Sequence, residues 1–178
     1  MRFLTSLLAV AFAAMAQVDA QANTKGNNYY LGTTPAQRYE VNQAQAQHII
    51  NAARDEAARI NVPMNIAVVN YYSSLVAFLH MDNSYPGSID ISIKKAKTVV
   101  VFNGQVPNAG YYNASQPGGS LYGIEQTNDG LVVFGGGLPL VINGILYGAV
   151  GVSGGSVPED IQVAAAGVRA VGGYIAPS

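Results

Sequence analysis

The chain has 178 residues, of which 49% are hydrophobic and 11% are charged, and its formal net charge is −1. This composition is typical of a soluble globular protein of about one domain and excludes an intrinsically disordered chain. The near balance of charge gives no reason to expect nucleic acid or an anionic membrane as a partner. The absence of cysteine excludes disulfides, thiolate metal sites and a cysteine nucleophile.

The first twenty residues have the pattern of a secretory signal peptide. Arg2 precedes an apolar run over 3–16 that is short for a membrane span, and a small-x-small pattern ends at Ala20. We therefore expect residues 1–20 to be removed and the mature protein to be secreted into the extracellular space, beginning at Gln21. The remaining sequence contains no second apolar stretch of transmembrane length.

The mature chain begins with a polar segment and continues as one domain. Residues 21–37 show no periodicity, which predicts an extended or disordered arm. The domain is expected to occupy 38–178, without an internal repeat or a second domain. A sequon at Asn113 offers an acceptor for an N-linked glycan in a host that performs this modification.

Three segments carry the signals of helices. Apolar residues recur at helical spacing over 41–60 and again over 88–102. A third helix is predicted to follow Ser156, because Ser156 and Glu159 have the spacing of a capping box. His48 falls on the polar side of the first helix, where a solvated surface histidine is the more common outcome.

Alternating apolar and aromatic runs predict five strands. Asn143-Gly144 is the preferred pair for a two-residue type I′ hairpin turn between the last two strands. Adjacent strands joined by tight turns form an antiparallel sheet, so we expect a single α+β domain with helices covering a five-stranded antiparallel sheet. The predicted strands are 65–71, 75–81, 131–134, 138–142 and 145–152.

Few residues suggest a conventional active site. Two histidines cannot form a histidine-rich zinc site, and no nucleophile motif stands on a strand-to-helix turn. The glycines within 134–139 lack the spacing of a phosphate-binding or dinucleotide-binding loop. Those glycines either bring backbone N–H groups close to a ligand or turn a tight corner, and the sequence does not choose between the two.

Two side chains have alternative interpretations. Lys95 lies on a second apolar face of its helix, so it either extends along the surface to water or directs its ammonium into a cleft. Spacing alone favours the surface position, because buried lysines are rare. His80 lies on a strand face, where a neutral imidazole suits the axial position of haem iron. A hydrogen-bonded sheet histidine is the more common alternative.

Several stretches, taken in order, resemble the GlcG/HbpS-like haem-binding domain family over roughly residues 38 to 175. The stretches are Ala-Val-Val at 67–69, His-Met-Asp at 80–82, Ser-Ile-Asp-Ile at 88–91, Lys-Ala-Lys-Thr at 95–98, Gly-Gly-Leu-Pro at 136–139, Gly-Ala-Val-Gly-Val-Ser-Gly-Gly at 148–155 and Glu-Asp at 159–160. The resemblance implies a homo-oligomeric α+β domain. Family members include extracellular haem-binding and haem-degrading proteins, and domains fused to corrinoid-related ones.

The resemblance also implies a cofactor-binding region. Lys95 and Lys97 would pair with haem propionates, the Gly136-Gly137 backbone would seat one ring edge, and His80 or a tyrosinate would bind the iron. The cofactor-binding residues of this region are Asp82, Lys95, Lys97, Thr98, Gly136, Gly137, Pro139 and Asp160. The metal ligand, His80, comes from its place on the strand face and not from the resemblance.

The leading hypothesis is therefore a secreted protein that binds haem or another tetrapyrrole and can promote haem degradation. A non-catalytic secreted oligomer that binds another protein is a second hypothesis, because a fold does not determine function. A small-molecule enzyme is the third, and it requires Asp82, Lys95 and Asp160 to converge for proton transfer.

Overall fold

The computed structural model describes residues 34, 36, 38–105 and 107–175. The signal peptide at 1–20 and nearly all of the arm at 21–37 lie outside these residues. None of the helices in the described ranges is both long and apolar enough to cross a membrane. The elements are α1 (Gln43–Arg59), β1 (Asn65–Asn70), β2 (Leu75–His80), α2 (Gly87–Val101), a short α3 (Tyr112–Ser115), β3 (Gly137–Ile142), β4 (Ile145–Ser153) and α4 (Val157–Ala170).

The strongest local signals in the sequence are confirmed. In the capping box at the start of α4, the Ser156 backbone N–H donates to the Glu159 carboxylate over 2.8 Å. Asn143 and Gly144 have φ angles of +50° and +76° between β3 and β4, as a type I′ turn requires. Each signal acts within a few residues, so tertiary contacts do not overrule it.

The sheet has the order β2-β1-β4-β3, with every neighbouring pair antiparallel. Helices α1 and α4 pack together on one face, and α2 covers β1, β4 and β3 on the other. The expected α+β fold is therefore correct, and the described residues contain four helices when α3 is included. The core on the α1–α4 side includes Ile49, Ile50, Ile66, Val68, Leu140, Val150, Val152, Val163 and Val168.

The prediction of a fifth strand over 131–134 is wrong, because the described sheet has four strands. Side chains rather than a neighbouring strand bind the backbone of this segment. The Val132 N–H donates to the Thr98 hydroxyl over 3.0 Å, and the Asn108 amide donates to the Val132 carbonyl over 3.0 Å. An apolar, β-branched run therefore has the composition of a strand, although the hydrogen-bond partners of its backbone come from α2 and a loop.

Gly151 allows α2 to approach the sheet closely. It lies opposite Gly137 in the β3–β4 pair and faces α2. A Cβ at this position would overlap the Ser92 carbonyl oxygen and lie 2.6 Å from the Ala96 nitrogen. Both atoms belong to the helix backbone, so a side chain would push the whole helix outward.

We expect Gly151→Ala to lower the free energy of unfolding by about 1–3 kcal/mol or more, because overpacking against backbone cannot be relieved by a rotamer change. Urea unfolding followed by circular dichroism measures the effect. Gly87→Ala is the matched control, because a Cβ there meets nothing within 4 Å. Equal stabilities of the two variants would contradict the close approach of α2.

Candidate functional site

A buried ion pair lies between α2 and α4. Lys95 is fully buried, and its Nζ donates to Asp160 Oδ2 over 2.6 Å and to the Val152 carbonyl over 3.0 Å. The Phe134 ring centre lies 4.8 Å from the same nitrogen, within the range of a cation–π contact. The expectation that Lys95 extends along the surface to water is therefore wrong, because these partners satisfy its charge inside the protein.

Asp160 receives further stabilisation from its position in the first turn of α4. Its Oδ1 accepts a hydrogen bond from the Gly155 backbone N–H over 3.0 Å. The N-terminal end of a helix carries partial positive charge, which favours a carboxylate there. Asp160 thus connects the end of β4, the start of α4 and the ammonium of Lys95.

Burial and pairing act in opposite directions on the two ionisable groups. Burial lowers the pKa of Lys95, while the hydrogen bond and charge of Asp160 oppose that shift. Burial raises the pKa of Asp160, while the hydrogen bond and charge of Lys95 oppose it. Each group therefore opposes the loss of charge that burial favours in the other.

The two glycines of the predicted loop approach protein groups. Gly136 has φ +118°, and an added Cβ would lie 2.7 Å from Lys95 Nζ and 2.6 Å from the Val152 carbonyl oxygen. A Cβ on Gly137 would lie 2.5 Å from the Lys95 carbonyl oxygen. Of the two interpretations of these glycines, the structure supports the tight corner, which closes over the ion pair.

Asn108 is a structural residue that the sequence analysis missed. It is fully buried, and its Oδ1 accepts the Gly137 N–H over 2.9 Å. Its amide donates to the carbonyls of Val132 and Phe134 over 3.0 and 2.5 Å. A single asparagine within the long loop after α2 carries no periodic signal that would identify it.

A second polar cluster surrounds His80 at the end of β2. Asn65 is buried and donates from Nδ2 to the Tyr85 carbonyl over 3.0 Å. Its Oδ1 therefore faces His80 Nδ1, at 2.7 Å. Ser84 lies 2.8 Å from the same Nδ1 and donates its own proton to the Met81 carbonyl.

These bonds determine which nitrogen of His80 carries the proton. Both groups facing Nδ1 present lone pairs, so the neutral ring carries its proton on Nδ1 and its lone pair on Nε2. A second hydrogen bond that fixes the tautomer in this way is typical of histidines that bind metals. His80 itself is exposed.

The implied cofactor residues fall into separate places. Lys95, Thr98, Gly136, Gly137 and Asp160 belong to the buried cluster between α2, α4 and the loop at 131–137. The other residues lie elsewhere. Lys97 and Asp82 are exposed, and among the described residues Asp82 forms no hydrogen bond or ion pair with Lys95 or Asp160. Pro139 lines a groove along β3.

The described residues contain no group of three or more His, Asp or Glu side chains able to hold a metal ion. The small-molecule enzyme hypothesis requires Asp82, Lys95 and Asp160 to converge. Of these three, only Lys95 and Asp160 are in contact, and both side chains have almost no exposed surface. The fold and these two clusters thus define a single α+β domain with a sealed ion pair and one exposed histidine of fixed tautomer.

Comparison with known proteins assigns the family. The family model described as "Haem degrading protein HbpS-like" matches residues 41–169. The chain belongs to this family. The match confirms the GlcG/HbpS-like resemblance that the short sequence motifs indicated.

Three similar proteins illustrate the relationship. An uncharacterized 15.0 kDa protein from the dhaT-dhaS intergenic region of Citrobacter freundii is 41% identical over 118 residues, which is 66% of this chain and 82% of that protein. Protein GlcG of Escherichia coli K12 is 35% identical over 113 residues, 64% of this chain and 81% of GlcG. A solved PduOC–haem complex has a TM-score of 0.71 and 29% identity, covering 76% of this chain and 97% of that one.

We expect Asp160→Asn and Lys95→Met each to lower the free energy of unfolding by about 3–5 kcal/mol, because each leaves a buried charge without its partner. In Asp160→Asn, burial holds the folded pKa of Lys95 below its unfolded value, so the unfolded chain binds more protons. Stability then rises as pH is raised toward about 10.4. In Lys95→Met, the folded pKa of Asp160 is raised above its unfolded value, so stability rises as pH is lowered toward about 4.

Urea midpoints at about pH 5, 7 and 9 would measure these opposite slopes. The double variant Lys95→Met/Asp160→Leu is the control, since it removes both charges and both slopes and recovers part of the lost stability. Two single variants with the same sign of pH dependence would contradict the mutual dependence of the pair.

Proposed function

We propose that this protein binds haem or a related tetrapyrrole at the exposed end of β2, with His80 as the axial ligand to the iron. The observation that carries this proposal is the fixed tautomer of His80, which leaves Nε2 as the lone-pair nitrogen of an exposed ring. The family description and the similarity to a protein solved with haem support the same ligand.

The donor set suits haem better than a free metal ion. A free ion needs several protein ligands, and the described residues offer no such group. Haem supplies four nitrogen ligands to its iron, so a single imidazole can complete the protein's share of the coordination. Asn65 and Ser84 would keep that imidazole oriented through Nδ1, as hydrogen-bond partners of metal-bound histidines do in other proteins.

The surface beside His80 is apolar. Leu75 and Phe78 share its face of β2, because they pair with Val69 and Ala67 on the side of the sheet that faces α2. Helix α2 leaves β2 largely uncovered, so Leu75 is 47% exposed. We call Leu75, Phe78 and His80 the β2 shelf, and we propose that the macrocycle lies against it.

The propionates require exposed cations. Lys95 cannot serve while its ammonium is held by Asp160 and Val152, whereas Lys97 is exposed on α2. We therefore assign the propionate contact to Lys97 and a structural role to the Lys95–Asp160 pair. Asp82, exposed two residues after His80, belongs to the polar rim of the shelf.

Haem degradation, secretion and self-association complete the proposal. The family description supports degradation of the bound haem. The signal-peptide pattern at residues 1–20 supports secretion. The uncharged apolar strand β2 at a sheet edge supports a homo-oligomer, because such an edge is a template for pairing with another chain.

We expect haemin titrated into the Gln21–Ser178 protein to give a saturable, stoichiometric Soret shift, and His80→Ala to weaken binding more than about tenfold because the iron loses its axial nitrogen. His48→Ala is the matched control, since His48 is the other histidine and lies exposed on α1. Visible absorption measures both.

The outcomes separate the parts of the proposal. No shift in the unsubstituted protein would reject haem binding. An unchanged shift in His80→Ala would keep haem and move the axial ligand to a tyrosine. A Soret band that decays with peroxide no faster than that of free haemin would reject the degrading activity.

We expect the full-length chain, expressed in a host with a secretory pathway, to appear in the medium with the mass of Gln21–Ser178. The physical reason is the short apolar run and small-residue cleavage pattern of residues 1–20. Intact mass spectrometry of the medium and the cell pellet measures this. A chain that stays in the cells with Met1 intact would reject secretion.

A further inference from the structure

A groove follows the outer edge of β3. Strand β3 and the strand of the β2 shelf lie at opposite edges of the sheet. Its volume is about 860 Å³, within the range of about 300–1,000 Å³ typical of small-molecule sites. Strand β3 forms its floor, the flank of α4 forms one wall and the loop after α2 forms the other. Its apolar lining includes Leu138, Pro139, Val141, Pro158, Ile161 and Ala165.

The edge of β3 is closed to another strand. Pro139 has no backbone N–H, and the N–H of Gly137 is bound by Asn108. The carbonyl of Val141 accepts the Tyr174 N–H over 2.8 Å. Backbone pairing with a peptide or a second copy is therefore blocked, and recognition in the groove depends on side chains.

Arg169 supplies the charge of the groove. Among the described lining residues it is the only charged one. It is exposed, and it forms no ion pair with a described residue. The charge of Arg169 acts on Glu56 of α1, but the carboxylate oxygens of Glu56 already accept hydrogen bonds from Arg59 and Gln162. The guanidinium is thus available to an anion.

The shape of the groove favours an elongated ligand. Pro158 and Arg169 both line it, and eleven residues of α-helix separate them by about 16 Å. An anionic head at Arg169 therefore has an apolar path along α4 toward Pro158. A carboxylate matches the guanidinium because its two oxygens can accept two parallel N–H bonds.

We propose that this groove is a second ligand site that binds an amphipathic monocarboxylate of the fatty-acid type, with the carboxylate on Arg169 and the acyl chain along Ile161 and Pro139. This site is separate from the tetrapyrrole site at the β2 shelf and does not depend on it. A single cation and an apolar wall suit one carboxylate on an alkyl chain, whereas haem carries two propionates.

The site is tested by isothermal titration calorimetry, in which decanoate is added to the Gln21–Ser178 protein below the critical micelle concentration of decanoate. We expect saturable one-to-one binding that is weakened at least tenfold in Arg169→Gln and further in Arg169→Glu. Arg54→Gln is the matched control, because Arg54 is an exposed arginine on α1 outside the groove. Decyltrimethylammonium, with the same chain and opposite charge, is expected to bind at least tenfold more weakly than decanoate.

Equal affinities for the two amphiphiles, or an unchanged affinity in Arg169→Gln, would overturn the proposal. Haemin separates this site from the other one. Decanoate binding that persists in His80→Ala and in protein saturated with haemin supports two sites. Displacement of decanoate by haemin would make the groove the tetrapyrrole site and reject the acyl ligand.

Discussion

The ion pair between Lys95 and Asp160 is the constraint on which the arrangement of the helices depends. Lysine 95 comes from the helix on one face of the sheet and Asp160 from a helix on the other, and Val152 at the end of β4 binds the same ammonium. An unpaired charge in this position would cost several kcal/mol. The pair therefore fixes α2, α4 and the end of β4 relative to one another.

Glycines make that pairing possible. Gly151 lets the backbone of α2 lie directly on the sheet, and Gly137 opposite it has the same close contact with α2. The Lys95 side chain can then reach past the sheet to the start of α4. Gly136 closes the corner above the ammonium, where any side chain would displace Lys95 or the Val152 carbonyl. The glycine run thus serves packing, although its composition resembles a ligand-binding loop.

The sequence predicted the features whose causes are local. The capping box of α4 and the Asn143-Gly144 turn each involve residues within a few positions of one another, so their spacing contains the whole signal. The α+β class followed from the order of these elements. Family membership was predicted from several short sequence motifs, taken together in their order along the chain.

The features that could not be predicted depend on distant partners. The burial of Lys95 requires Asp160, which lies 65 residues away, and helical spacing alone makes an exposed lysine the reasonable choice. The segment 131–134 has the composition of a strand, but Asn108 and Thr98 bind its backbone. The tautomer of His80 likewise depends on Asn65, 15 residues away. Composition and periodicity contain no information on such pairs.

The two edges of the sheet differ in a way that bears on function. At β3, Pro139, Asn108 and Tyr174 occupy or remove the outward backbone groups, so a ligand there can be held only by side chains such as Arg169. Strand β2 contains no proline and no acidic or lysine side chain, and α2 leaves its face open around His80. One edge is therefore suited to a small amphipathic molecule. The other presents an apolar surface with one oriented imidazole, which agrees with the proposed tetrapyrrole ligand.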